Sequence, residues 1–224
     1  MIPAGFWRRY AAWSLDATIV GVPIVLVAWP YWRAGMQRIA AAFEAVATRF
    51  AELAIAGLRS AEHPLVLAQA WLQDAALHDA IAGVEAAMFD ALKPGLIAFV
   101  VVAALYWITL ESSRWQATLG KRALGLVVAD LRGERLDLLR ATARHAAGAL
   151  SWLTLNLGHA LAALPPQKRA LHDYVAGTCV LQRAETAVPL WARAWLLSQM
   201  LLLFAAMLWL MQSMQGVLQS AIYA

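Results

Sequence analysis

Tyr10-Ala-Ala-Trp-Ser-Leu-Asp16-Ala-Thr-Ile-Val-Gly-Val-Pro23-Ile-Val-Leu-Val-Ala-Trp29 decides the fold. As a helix rising 1.5 Å per residue, this stretch is roughly 30 Å long, the thickness of a hydrocarbon core. Tyr10 and Trp13 mark one membrane interface, and Trp29, Tyr31 and Trp32 mark the other. Pro23 removes one backbone donor and loosens the helix. Asp16 is the exception inside an otherwise apolar run. Upstream, Trp7-Arg8-Arg9 resembles the start of a signal peptide, but the run holds Asp16 and no small-residue cleavage site follows it. A retained membrane helix is the expectation.

Composition agrees. Of 224 residues, 62% are hydrophobic and only 14% charged. A water-facing domain carries about a quarter charged residues. The net charge of +4 and pI of 9.6 fit basic residues flanking membrane spans. No basic-aromatic constellation points to nucleic acid, so no nucleic-acid partner is expected. Cys179 is the single cysteine, which excludes an internal disulfide.

Working outward, residues 33–93 form an alanine-rich insertion. Ile39, Phe43, Val46, Phe50 and Leu53 follow a heptad stripe, as do Leu77, Ile81, Val84 and Met88. Ser60-Ala-Glu-His-Pro64 is a helix break, with Pro64 suited to a first helical position. A helical hairpin packed through these stripes is the reading; a helix lying on the membrane surface is the alternative. A second span runs from Leu96 to Leu110, and a final one from Ala194 to Met211. Met200, Met207, Met211 and Met214 read as lipid or packing contacts. Residues 124–129 and 178–181 read as short strands, Asp130 to Glu134 as a turn, and Asp137 as a helix N-cap.

The apolar run 146–164 either spans or dips in and returns. The two strands flanking it pair only if both lie on one side, which favours a return. Loop charges set the orientation. Residues 112–144 hold Arg114, Lys121, Arg122, Arg132, Arg135, Arg140 and Arg144 against Asp130, Glu134 and Asp137, whereas acids outnumber bases over 33–93. The basic loop and the N-terminus are therefore expected in the cytoplasm, and the hairpin outside.

Arg9 and Asp16 lie seven residues apart, two helical turns, and share a face some ~10 Å apart along the axis. Ionised carboxylate in hydrocarbon is costly, so Asp16 is expected to be protonated, paired, or turned to water or protein. It is either a proton- or cation-binding group or a structural hydrogen-bond acceptor. Gly120-Lys121 lacks the first glycine and following hydroxyl residue of a phosphate-binding loop. Lys121 and Arg122 read as orientation charges or contacts to anionic lipid. His63, His78, His145, His159 and His172 show no ligand spacing, so no metal and no cofactor is expected. Asp173 lies beside Lys168 and Arg169, just before the second strand; it is either functional or a loop-capping carboxylate. No enzymatic arrangement stands out.

Three segments carry a resemblance. They are Gly5-Phe-Trp-Arg-Arg9-Tyr-Ala-Ala-Trp-Ser-Leu-Asp16, Gln116-Ala-Thr-Leu-Gly-Lys121-Arg-Ala-Leu-Gly-Leu-Val-Val128 followed by Arg144, and Ala170-Leu-His-Asp173-Tyr-Val-Ala-Gly-Thr178. In this order, over residues 4–183, they resemble the RDD family of bacterial membrane proteins, named for an arginine and two aspartates. Arg9, Asp16 and Asp173 match those residues. The resemblance implies a bacterial inner-membrane protein. Transport of unknown ligands has been proposed for the family, and some relatives are linked to sodium/proton antiport.

The expected fold is an all-α polytopic membrane protein with three or four transmembrane helices, an extracytoplasmic helical hairpin and a small cytoplasmic β-hairpin-like element. The expected domains are an RDD-like membrane unit over 1–183, carrying the 33–93 insertion, and a C-terminal helix over 184–224. The expected role is transport linked to a proton or cation, in a homo-oligomer or with a membrane-protein partner. Asp16 would carry the ion, Arg9 would tune its charge, and Asp173 would sit at the cytoplasmic entrance. Lys121, Arg122 and Arg144 are secondary candidates. The alternative is a non-transporting adaptor or assembly protein that binds a partner through the hairpin.

Overall fold

A computed structural model describes the backbone of residues 1–60, 63–153, 157–183 and 186–223, and their side chains except 150, 152, 153, 210, 213, 214 and 216–223. The elements run β1 (Ile2–Pro3), α1 (Phe6–Ser60), α2 (Pro64–Leu72), α3 (Ala75–Ser112), α4 (Leu119–Ala123), β2 (Leu126–Asp130), α5 (Leu138–Leu153), α6 (Leu157–Ala160), a 3-10 turn (Leu161–Ala163), α7 (Leu171–Val175), β3 (Thr178–Gln182) and α8 (Leu190–Tyr223). Among the described residues, three helices are long and apolar enough to cross a membrane: α1, α3 and the Leu190–Trp209 part of α8. The chain is a multi-pass α-helical membrane protein with a small sheet.

The chain divides into two compact units, one of residues 1–19 with 104–224 and one of residues 20–103. In the first, β2 and β3 pair antiparallel with Val128 opposite Val180, and β1 pairs antiparallel with β3, giving the order β1-β3-β2. Leu126, Val128 and Val180 alternate onto one buried face, as the two-residue period of a strand requires. They pack with Ala4, Ala11, Ala12, Leu124, Leu136 and Ala192 into one apolar core. The Asp130–Glu134 turn is held by Asp130 Oδ1, which accepts from the Arg132 and Glu134 amides, and Gly133 takes φ +84°. Asp137 caps α5 by accepting from the Arg140 amide at 2.7 Å.

Pairing of β2 with β3 brings the chain back to where the intervening segment began. The run 146–164 is thus the end of α5, then α6 and the 3-10 turn, with Thr154 and Asn156 outside the described residues. Among the described residues, it is not one of the helices long and apolar enough to cross a membrane. The first strand, Ile2–Pro3, is an addition to the expected pair.

In the second unit the hairpin forms as its break predicts. Pro64 opens α2, and His63 caps it by accepting from the Leu65 amide; Ala61 and Glu62 of the expected break lie outside the described residues. A second break follows α2, where Asp74 accepts from the Leu77 amide at 2.7 Å and pairs with Arg49 at 2.6 Å. The heptad period holds, and five of the nine stripe residues are covered: Val84 is buried, and Ile39, Val46, Leu53 and Leu77 are partly buried. Phe43, Phe50, Ile81 and Met88 are 55%, 50%, 42% and 43% exposed. Gly35, Ala42, Ala80, Ala87 and Ala91 are covered alongside the other stripe residues, small side chains in place of those four large ones. The reason is close approach. A Cβ added at Gly35 would meet that of Ala91 at 2.8 Å, so small residues serve this contact better than large ones.

Both helices carry a proline at the foot of the hairpin, Pro30 and Pro94. Pro94 has no N–H to give to the carbonyl four residues earlier, that of Asp90. Tyr31 replaces the missing donor, its hydroxyl donating to Asp90 O at 2.5 Å.

Candidate functional site

The site lies within the first unit, where the first turns of α1 meet the end of α3, α4, α5 and α7. Asp16 is fully buried. Its Oδ1 accepts from the Tyr106 hydroxyl and from the Gly120 amide, both at 2.7 Å. Its Oδ2 accepts from the Thr118 hydroxyl at 2.5 Å. The Tyr106 oxygen accepts in turn from the Leu119 amide at 3.1 Å. Thr118 is the N-cap of α4. One carboxylate therefore holds α3 and the start of α4 against α1.

Gly120 is required by this approach. A Cβ there would stand 2.9 Å from the Asp16 carboxyl carbon and would run into the Ala12 carbonyl oxygen. Such contact leaves no room for any side chain.

Asp173 is also fully buried, in α7. It faces two arginines. Arg9 Nη1 donates to Oδ2 at 2.6 Å, and Arg144 Nη1 donates to Oδ1. The Ala170 amide donates to Oδ2 at 2.8 Å, so the side chain also caps its own helix. Arg144 continues the chain of charge. Its Nε donates to Glu111 Oε2 at 2.9 Å, and its Nη1 to the Thr178 hydroxyl at 2.7 Å. Lys121 Nζ donates to Glu111 Oε1 at 2.8 Å. Arg169 fastens the far side, bonding Asp173 O at 2.7 Å and Thr178 O at 3.0 Å.

Burial would raise the Asp173 pKa, but the charges of Arg144 and Arg9 outweigh it and hold the carboxyl below its ordinary range. Arg144 moves the other way: burial would lower it, and Asp173 and Glu111 keep it above its usual value. His172 is driven down to about 3 by burial first and the Arg144 charge second, so it is neutral. The cluster is a buried row of five charges, three positive and two negative. Losing one partner of such a pair costs about 3–5 kcal/mol, because the other is left uncompensated.

These contacts revise the roles read from the residues. Arg9 does not pair with Asp16; it pairs with Asp173. Lys121, expected as an orientation charge or a lipid contact, is buried and paired with Glu111. Arg122 is exposed and lies over the Trp115 ring at 4.2 Å. Arg144 joins Asp173 and Glu111 and is the centre of the row. Glu111, Tyr106 and Thr118 were missed. Glu111 carried one signal, an acid ending an apolar run just before the basic loop. Among the described residues no group of three or more His, Cys, Asp or Glu is placed to hold a metal.

The match of this chain to known proteins follows the same residues. The model of the RDD family matches residues 3–177, which include Arg9, Asp16, Glu111, Lys121, Arg144 and Asp173. The chain is similar to the uncharacterized protein YxaI of Bacillus subtilis (strain 168), at 28% identity over 181 residues, covering 81% of this chain and 98% of that protein. No solved structure matches. The chain belongs to the RDD family.

Proposed function

We propose that this protein is a non-enzymatic membrane adaptor of a bacterial inner membrane. Its N-terminus and basic loop lie in the cytoplasm, and it binds a protein partner through the hairpin on the other side. The observation that carries this reading is the outward placement of Phe43, Ile81 and Met88 on a hairpin whose covered face holds Ile39, Val46, Leu53, Leu77 and Val84 among glycine and alanine. Apolar side chains left exposed on a water-side element mark a binding surface. A helical partner reads such anchors at three- and four-residue steps. Asp16 supports the same reading. It accepts from three donors, which suits an anchor for α4 better than a group that picks up and releases an ion.

The test is removal of residues 36–92 with a short linker in their place. An adaptor loses its co-purifying partner while the remaining helices stay inserted. Retention of the same partner by the shortened chain would refute the reading.

A second reading is transport linked to a proton or cation. The buried row Arg9–Asp173–Arg144–Glu111–Lys121 favours it, since such rows are used to couple ion movement to conformation. Ion flux in proteoliposomes separates the two.

A further inference from the structure

The hairpin has two unlike faces. On α1 the covered row is Gly35, Ile39, Ala42, Val46, Arg49 and Leu53, and on α3 it is Ala80, Val84, Ala87 and Ala91. One position later stand Met36, Ala40, Phe43, Ala47 and Phe50 on α1, and Ile81, Glu85, Met88 and Leu92 on α3, all exposed. One position earlier stand Arg38, Ala41, Ala45, Thr48 and Glu52, and Asp79, Gly83, Ala86 and Asp90. One residue is a rotation of about 100°. The two helices are antiparallel and face each other, so equal rotations in chain direction bring both later rows to one side of the hairpin and both earlier rows to the other. One side is therefore apolar and bulky, and the other is small or charged. Glu85 is the member of its row furthest from the covered row, at the rim.

The bulky residues of the two helices stand at matching heights. Gly35 is level with Ala91, since a Cβ added at Gly35 would lie 2.8 Å from that of Ala91. Counting about 1.5 Å per residue from there, Met36 and Met88 fall within about 3 Å of one height, and Phe43 and Ile81 do the same. From Arg33 to Arg59 the hairpin runs about 40 Å, and two helices side by side span about 20 Å. One face thus offers about 800 Å² per copy, the size of a stable protein interface.

Charge separates the candidate occupants. Over 33–60, α1 carries Arg33, Arg38, Arg49 and Arg59 against Glu44 and Glu52. Over 75–92, α3 carries Asp79, Glu85 and Asp90 and no Lys or Arg. An anionic bilayer attracts bases, so the acidic α3 half is poorly suited to lie on it. A second copy fits both halves. It is rooted in the same membrane at the same height, and a two-fold axis along the membrane normal sets the basic α1 of each copy on the acidic α3 of the other. The levels then match without any shift, because both hairpins share one register.

Resting on the reading of the hairpin as a water-side protein-binding element, we propose that its apolar face binds the same face of a second copy of this chain. The product is a four-helix bundle with every neighbour antiparallel, a favourable arrangement for helices of this length. Phe43 and Met36 of one copy pack on Ile81 and Met88 of the other. Ala40 and Ala47, between the large side chains of α1, let the second hairpin approach closely. Arg38, Glu52, Asp79 and Asp90 stay on the outer, wet side.

The experiment uses the full chain. Cys179→Ser removes the single native thiol. In that background, Phe43→Cys in one tagged copy and Ile81→Cys in a differently tagged copy are oxidised together in native membranes. A disulfide-linked dimer is expected, and none from Ala41→Cys with Gly83→Cys on the opposite face. Sedimentation in neutral detergent then compares the parent with Phe43→Asp and Met88→Asp. Each should weaken the dimer about a hundredfold or more. Helicity by circular dichroism should not change, because both side chains are exposed. A monomeric parent, or equal cross-linking on the two faces, overturns the proposal. So does a different protein, identified by mass spectrometry, held through Phe43 and Met88; that result leaves the adaptor reading standing. Quenching of a label at position 43 by lipid-borne quenchers would place the face on the bilayer and overturn both.

Discussion

The carboxylate of Asp16 accepts a 2.7 Å hydrogen bond from the backbone amide of Gly120, a residue 104 positions further along the chain. Two hydroxyls complete its contacts, from Tyr106 and Thr118. Asp16→Asn puts an NH₂ where one acceptor oxygen stands, so one of these donors loses its partner. Bonds to a carboxylate contribute about 1.5–3 kcal/mol each. The expected loss is about 2 kcal/mol, read as a lower unfolding temperature in detergent. Gly120→Ala is expected to be worse, because its Cβ meets Asp16 and the Ala12 carbonyl and neither can withdraw.

Asp173 divides its two oxygens between Arg9 and Arg144. Asp173→Asn leaves two buried guanidinium groups without an anion between them. A loss of about 3 kcal/mol or more is expected. Arg144→Lys is not a conservative change here, since one ammonium cannot serve Asp173, Glu111 and Thr178 with the fixed fork of a guanidinium. Chemical unfolding of the two variants, side by side, checks both statements.

His172 sets a pH dependence. Its pKa is about 3 in the folded protein, against about 6.5 when unfolded. Above pH 6.5 both states are neutral and the group has no effect. As pH falls below 6.5 the unfolded chain gains a proton that the folded chain refuses, so stability is lost with falling pH. His145 and His159 are depressed in the same direction by burial, and they share the slope. His172→Gln should remove one proton's worth of it, about 1.4 kcal/mol per pH unit between pH 6 and 4. Asp173 acts lower. Its folded pKa lies below its ordinary range, so its contribution is intact above about pH 4 and declines in stronger acid. Unfolding temperature against pH, for the parent and His172→Gln, shows whether the upper limb flattens.

Tyr31 and Pro94 are expected to be coupled. The tyrosine hydroxyl serves the Asp90 carbonyl that the proline leaves without a donor. Tyr31→Phe should cost about 1 kcal/mol in the parent and less in Pro94→Ala, where the helix amide returns. A double-mutant cycle on thermal stability measures the difference. Additive losses would remove the coupling.

The membrane spans, the hairpin, both paired strands, the Asp137 cap and the break before Pro64 were legible in the sequence. Each depends on local rules of length, period and turn chemistry. The three residues Arg9, Asp16 and Asp173 were legible through the family resemblance. Their partners were not. A seven-residue spacing says that Arg9 and Asp16 share a face of α1, but not which other segments pack on that face. Arg9 turns back to α7, while Asp16 is met by α3 and α4. Part of the hairpin's covered face was hidden for a related reason. Ile39, Val46, Leu53, Leu77 and Val84 are covered as the period predicts, whereas Phe43, Phe50, Ile81 and Met88 sit one residue off the covered positions 42, 49, 80 and 87. Close approach of Gly35 to Ala91 favours small residues at that end of the hairpin. The strand at Ile2–Pro3 is too short to show any period.

The most direct test of the account is ion flux in proteoliposomes under gradients of protons, sodium or potassium. Asp16 as a structural anchor predicts that vesicles with the parent protein and with Asp16→Asn both leak no faster than protein-free vesicles. Flux in the parent that disappears in a correctly folded Asp16→Asn would contradict it.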